Sequence, residues 1–215
     1  MFHVKHLESL EPEPAAAAAV FGESLERARA FTDDLARRGE ELGLIGPLEL
    51  PRLWTRHVVN SGLVAPLIRP GALVGDIGSG AGLPGLPLAI ARPDARFVLI
   101  EPMERRTDWL RSEADALGLT NVEVVRARAE DAPYVERLDQ ITARAVSALR
   151  TLIPTVVPLA KRGGELILMK GARVEEERQA AAKQIAKAGL TDVEILTLGE
   201  GITTEATRVF RATVG

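Results

Sequence analysis

Val20, Leu25, Ala28, Phe31 and Leu35 recur at three- to four-residue spacing with charged residues between them, which predicts an amphipathic helix over 15–42. Gly43 and Gly46-Pro47 end it. A second helix is predicted after Pro51, carrying Leu53, Trp54, Val58 and Leu63 until Pro66 and Pro70-Gly71 break the chain. From Leu73 the period changes. Short apolar strands at 73–77, 96–101, 122–126, 140–143 and 165–170 alternate with helices at 83–92, 103–117, 149–160 and 174–188, and 193–198 with 207–214 reads as a closing antiparallel pair. Alternating β and α elements predict an α/β fold, a mostly parallel sheet with helices on both faces and ligands at the carboxyl ends of its strands. The expected division is a flexible arm at 1–14, a helical extension at 15–70 and the α/β domain at 71–215.

Composition narrows the chemistry. With 215 residues, 46% of them hydrophobic and 27% charged, the chain suits one soluble domain with small additions. No apolar run approaches the roughly 20 residues that span a bilayer, and no signal pattern opens the chain, so a cytoplasmic protein without a membrane partner is expected. The absence of cysteine excludes disulfides, thiolate metal sites and any cysteine nucleophile. His3, His6 and His57 do not have zinc-ligand spacing, so no metal is expected. The net charge of −3 leaves nucleic-acid binding to a local patch. Residues 61–173 carry 15 basic and 13 acidic side chains, and both a solvated mixed surface and a phosphate-binding face fit that balance. At the N-terminus, Met1-Phe2-His3-Val4-Lys5-His6 permits the codons ATG TTT CAC GTG AAA CAT, a perfect DNA palindrome. It resembles the centromere-like site of bacterial chromosome-partition proteins.

The strongest local signal is Asp76-Ile77-Gly78-Ser79-Gly80-Ala81-Gly82-Leu83-Pro84-Gly85, directly after the first strand and opening a helix. Glycines allow a sharp turn and close approach to a ligand. The dinucleotide fingerprint needs glycine where Leu83 stands, and no G-K-[ST] follows, so neither of those phosphate loops fits. An acidic residue followed by G-x-G-x-G resembles motif I of the class I S-adenosylmethionine-dependent methyltransferases, whose cofactor has no phosphates. Asp76 is then expected to pair with the cofactor's ammonium group. Glu101, ending the second strand, stands where an acceptor pair for ribose hydroxyls belongs. Ala129-Glu130-Asp131, after the third strand, is placed to meet an adenine edge.

Leu83-Pro84-Gly85-Leu86-Pro87 extends the loop more specifically. Together with Arg56-His57-Val58-Val59-Asn60-Ser61, Arg105-Arg106, Ala143-Arg144-Ala145 and Leu168-Met169-Lys170-Gly171, it resembles the small-subunit ribosomal RNA methyltransferase G family, also called the glucose-inhibited division protein B family. Many members have aspartate where this chain has Asn60, and Asn-Leu-Thr where it reads Leu44 to Leu48. The resemblance implies a Rossmann-like methyltransferase fold with a seven-stranded sheet and N-terminal helices. It also implies S-adenosylmethionine as cofactor and methylation of guanine N7 in the decoding region of 16S ribosomal RNA. The partner is then the RNA or the small ribosomal subunit, and a monomer is expected.

Carried over by position, Gly78, Leu83, Ala129, Glu130 and Arg144 are cofactor-site residues, joined by Asp76, Gly80 and Glu101 from the reading above. Arg144 is the expected catalytic residue, its planar fork fixing cofactor and base. His57, Arg105, Arg106 and Lys170 are candidate RNA contacts, although a satisfied histidine or a solvated lysine fits equally well. No Asn/Asp-Pro-Pro-aromatic loop follows the fourth strand, which argues against an exocyclic-amine methyltransferase; guanine N7 has an in-plane lone pair and no proton, and needs no general base. A small-molecule or protein methyltransferase, or a non-catalytic nucleotide-binding module, are the alternatives.

Overall fold

Seven strands form one sheet in the computed structural model, which describes residues 10–46, 48–203 and 206–215. In chain order they are β1 (Leu73–Ile77), β2 (Arg96–Ile100), β3 (Val122–Val125), β4 (Leu138–Arg144), β5 (Ala160–Lys170), β6 (Leu190–Leu198) and β7 (Thr207–Val214). Across the sheet the order is β3-β2-β1-β4-β5-β7-β6. The first five strands pair in parallel, and β7 runs antiparallel to both β5 and β6. The order reverses between β1 and β4, which creates the crevice where α/β sheets bind ligands.

Strand periodicity divides the core. Phe97, Leu99, Ile167 and Met169 point to one face, and Val98, Ile100, Leu166 and Leu168 to the other. Burial on both faces explains why these strands read as unbroken apolar runs. Helices α1 (Ala16–Phe21) and α2 (Leu25–Arg38) cover the first face, with a π-helical segment (Leu53–Val59) that continues into an α-turn (Asn60–Gly62), together α3. They share a single buried cluster with α4 (Gly85–Ala91) and α5 (Glu104–Ala116). Phe31, Leu35 and Leu53 are fully buried in that cluster, each worth about 1.5–3 kcal/mol, so the extension is welded to the sheet. Helices α6 (Leu149–Val156), α7 (Val174–Ala180) and α8 (Ala182–Lys187) cover the other face. No helix of the described residues is long and apolar enough to cross a membrane.

Several boundaries differ from the periodicity reading. The helix expected over 15–42 breaks at Gly22, whose φ of 50° leaves the helical region, and it ends at Arg38. The helix expected over 174–188 is interrupted at Ala181. Strand β6 begins at Leu190, with a register shift between Thr191 and Glu194 that a hydrophobic pattern does not reveal. Residues 1–9, including the palindrome-compatible hexapeptide, and Pro47 lie outside the described residues. Within the expected arm, the Glu11 carboxylate accepts hydrogen bonds from Thr55 N (2.9 Å) and Thr55 Oγ1 (2.7 Å), and Glu13 accepts one from Arg29 Nη2 (2.8 Å). That segment is therefore tied to α3 and α2.

One contact between the extension and the sheet domain titrates. Glu113 on α5 is 1% exposed and shares a hydrogen bond with Asp34 on α2, while its Oε1 has no hydrogen-bond partner among the described residues. Arg38 binds Asp34 Oδ2 at 2.9 Å and lies over the Trp109 ring, whose Nε1 donates to Ala81 O in the glycine loop at 3.1 Å. Burial, and then the hydrogen bond to Asp34 and its charge, push the Glu113 carboxyl up to about 8. A folded-state value above the ordinary one means that this group's stabilisation is complete below pH 4.5 and is lost as pH rises towards 8. The thermal midpoint should therefore fall between pH 5 and 8.5, by about 2–4 °C for each kcal/mol at this chain length. Glu113→Gln keeps a donor for Asp34 and should flatten that decline; an equal decline in the variant would place its origin elsewhere.

Candidate active site

A candidate cofactor cradle lies at the carboxyl ends of β1, β2 and β3. After Ile77 the chain turns through Gly78, Gly80 and Gly82, at φ 69°, 55° and 93°, before α4 starts at Gly85. A Cβ on Gly82 would lie 2.4 Å from Leu86 Cδ1, so packing demands glycine there. A Cβ on Gly80 would meet nothing nearer than 3.8 Å, so this residue faces open space and lets a ligand reach the backbone. Glu101 follows β2 and is 2% exposed; its Oε2 accepts from Gly80 N and its Oε1 from Met103 N, both at 3.0 Å. Each carboxylate oxygen retains a second lone pair, which suits a vicinal diol. Ala129 is buried and opens the 3-10 turn Ala129–Asp131, where Glu130 is exposed. Leu83 is partly buried against the extension-side core. These residues stand along neighbouring strand ends and fit an adenosine carrying a short charged chain.

Asp76 takes a different part from the expected ammonium contact. It is fully buried behind the loop, where its Oδ2 accepts from Gly85 N (3.2 Å) and its Oδ1 from Thr142 Oγ1 (3.2 Å). Burial pushes its carboxyl up to about 6. A Cβ on Gly85 would lie 2.6 Å from Asp76 Oδ2, so this aspartate braces the start of α4 from below.

At the ends of β4 and β5 a cavity of about 730 Å³ opens, lined in part by Arg56, Asn60, Arg144, Val146, Lys170 and Arg208. Val146 closes over the glycine loop, since a Cβ on Gly78 would be 3.0 Å from its Cγ2. The preceding Ala145 has φ 55°, a strained conformation of the kind that clusters at functional sites.

Arg144 lines this cavity, but its fork does not point to a ligand as expected. Nη1 reaches His57 O (3.4 Å) and Ser61 Oγ (3.3 Å), and Nη2 reaches Arg56 O (3.0 Å) and His57 Nδ1 (2.6 Å). Four acceptors on α3 thus take the four Nη hydrogens. Nε makes no hydrogen bond among the described residues, so it and the flat guanidinium face are what Arg144 offers the cavity. Burial first, then the Arg56 charge, lower the guanidinium to about 10.

Of the two readings of His57, the contacts match the satisfied, partly buried histidine. Its side chain is 13% exposed, and Nε2 lies 2.6 Å from Glu49 Oε2. Burial and the Arg144 charge push its imidazole down to about 4, against the pull of Glu49. Lys170 is not a solvated lysine: its Nζ donates to Ser147 O (2.6 Å) and pairs with Glu177 (2.9 Å), which pins the loop after β4. The neighbouring arginines on α5 diverge, because successive helical residues differ by about 100°. Arg106 Nη1 lies 3.9 Å from Glu101 Oε2, whereas Arg105 lines a separate groove with Arg38, Leu42 and Trp109. Glu49 and Arg208 were not singled out from the sequence, and Ser61 only as part of the Arg56-to-Ser61 motif, because packing is what brings them to the site.

Comparison with known proteins agrees with this architecture. The family described as rRNA small subunit methyltransferase G matches residues 24–206. The Ribosomal RNA small subunit methyltransferase G of Leifsonia xyli subsp. xyli is 62% identical over 207 residues, covering 96% of this chain and 99% of that protein. Its counterpart in Clavibacter michiganensis subsp. michiganensis is 64% identical over 205 residues, with coverage of 95% and 97%. Among solved structures, P. horikoshii TYW2 in complex with MeSAdo superposes with a TM-score of 0.59 at 20% identity, over 74% of this chain and 62% of that one, which establishes the fold. With the glycine loop, the parallel sheet and near full-length similarity in agreement, the chain belongs to the rRNA small subunit methyltransferase G family.

Proposed function

We propose that this chain transfers the methyl group of S-adenosylmethionine to guanine N7 in the decoding region of 16S ribosomal RNA. One observation carries the reading: the cradle at Gly80 and Glu101 adjoins, across Val146, a cavity whose walls include Arg56, Arg144, Lys170 and Arg208 against one carboxylate, Glu177, which pairs with Lys170. Cofactor and an anionic substrate then meet at one edge of the sheet. When bound, the cofactor supplies an electrophilic methyl on a sulfonium.

The protein's residues align the two reactants. Glu101 and the Gly80 backbone orient the ribose, and Ala129-Glu130 border the adenine. Arg144 and the loop pinned by Lys170 shape the guanine side. N7 has no proton to lose, and both ring nitrogens of His57 are already engaged, so the site holds no histidine base. Orientation alone lowers such a barrier by roughly 7–11 kcal/mol in a well-built site. The extension at 15–70 supplies Arg56 and Asn60 to the cavity and acts as part of the active site rather than as a separate domain. Arg105, in its separate groove with Arg38, is left as a candidate phosphate contact away from the cavity, while Arg106 lies beside Glu101.

Small ribosomal subunits from cells lacking this protein, incubated with it and methyl-labelled S-adenosylmethionine, should take label into 16S RNA. The yield at limiting protein should drop as salt rises, because phosphate contacts release counterions. Label confined to protein or small molecules would refute the reading.

A further inference from the structure

Arginine only donates hydrogen bonds, so the 2.6 Å contact between Arg144 Nη2 and His57 Nδ1 fixes the state of the imidazole. Nδ1 carries no proton and accepts. The single ring proton sits on Nε2 and is donated to Glu49 Oε2 at 2.6 Å. Glu49 is held in turn by Arg52, whose Nη2 donates to Oε1 (2.7 Å) and Nε to Oε2 (3.1 Å), with Arg56 Nε at 3.8 Å. Burial raises the Glu49 carboxyl, but the hydrogen bonds from Arg52 and His57 outweigh it and keep it below its ordinary value. The charged groups facing His57 are Arg144 from β4, Glu49 from the segment before α3, and Arg56 from its own helix; Asp76 is a further charge acting on Arg144.

We propose that Glu49 is a positioning residue: by accepting the Nε2–H of His57 it selects the tautomer whose Nδ1 seats the Arg144 guanidinium at the wall of the cavity. In the other tautomer a ring N–H would face a guanidinium N–H, and the arginine would have to move. Glu49 touches neither reactant. The inference rests on the reading of Arg144 as a wall of the methyl-transfer site, and it adds a residue that acts on that wall from behind.

The test combines nitrogen-15 NMR of the full chain, which has only three histidines, with single-turnover methyl transfer to small ribosomal subunits. Wild type should show His57 as the Nε2–H tautomer from pH 6 to 8. Glu49→Ala should give a tautomer mixture and a rate lower by about 10- to 100-fold, the usual range for removing an outer partner that orients a functional group. Glu49→Gln, whose amide oxygen still accepts the Nε2–H, should keep the tautomer and restore most of the rate. In an Arg144→Lys background, Glu49→Ala should add little, because both changes break one chain of contacts.

An Nδ1–H tautomer in the wild type would overturn the proposal. So would a wild-type rate in Glu49→Ala, or equal losses in Glu49→Gln and Glu49→Ala. Wild-type protein that methylates no 16S RNA would instead refute the functional reading, and the tautomer would still be decided by NMR.

Discussion

Arg144→Lys is expected to lower single-turnover methyl transfer by about 100-fold while leaving the fold intact. The four Nη hydrogens of Arg144 reach four acceptors on α3. Lysine keeps the charge but offers three donors on a tetrahedral head, so it cannot satisfy that set and also present a flat cationic wall. A displacement of about 1 Å in a positioned group costs about 100-fold in rate, and the loss belongs in the chemical step rather than in folding. The residual rate should be nearly independent of pH between 6 and 9 in wild type and variant alike, since no base ionises in the reaction and His57 is held neutral well below that window. A fully active Arg144→Lys would remove Arg144 from the site. An acidic limb near pH 6.5 that vanishes in His57→Ala would restore a histidine base.

Gly80→Val should abolish measurable cofactor binding in a protein that still folds. At φ 55° a β-branched residue is strained, by about 1–3 kcal/mol, which a domain of this size tolerates. Its side chain would meet nothing behind it, because the nearest heavy atom to a Cβ is 3.8 Å away. The added bulk therefore projects into the space where the ligand must approach, beside the Glu101 carboxylate. Calorimetry with S-adenosylmethionine should show at least about a 100-fold loss of affinity, about 2.7 kcal/mol. Normal binding by folded Gly80→Val would mean that the cradle has been misplaced.

Most of the sheet was legible because parallel strands covered on both faces are short unbroken apolar runs, as at Val98-Leu99-Ile100 and Leu166-Ile167-Leu168. The positions of the glycine loop and Glu101 at neighbouring strand ends were legible for a related reason, since the alternation of strands and helices fixes them. Adjacency to the loop says nothing about which face of β1 the Asp76 side chain takes, and the strand turns it under α4, where Gly85 N donates to it. For His57 and Lys170 the sequence left two readings open, a satisfied histidine or an RNA contact and a solvated lysine or a phosphate contact, and packing decides how each side chain is engaged. Each carries a residue type that suits RNA, yet Glu49 and Arg144 claim the first, and Ser147 and Glu177 the second. The Arg144 and Ser147 partners lie 87 and 23 residues away and leave no local pattern, and Glu49 and Glu177, although within eight residues, are brought round by turns that periodicity does not show. The break of the first helix at Gly22 was visible as a glycine, but helical periodicity continues on both sides of it and masks the interruption.

The most direct test of the account is to map the modified atom. Small subunits from cells lacking this protein should be methylated with the purified chain and S-adenosylmethionine, and the 16S RNA then reduced with borohydride and cleaved with aniline, which cuts the chain at N7-methylguanosine. One new cut is expected, in the decoding region, that depends on both protein and cofactor and is lost in Gly80→Val. Methyl label incorporated without a new cut would place the methyl on another atom and contradict base-free attack by guanine N7.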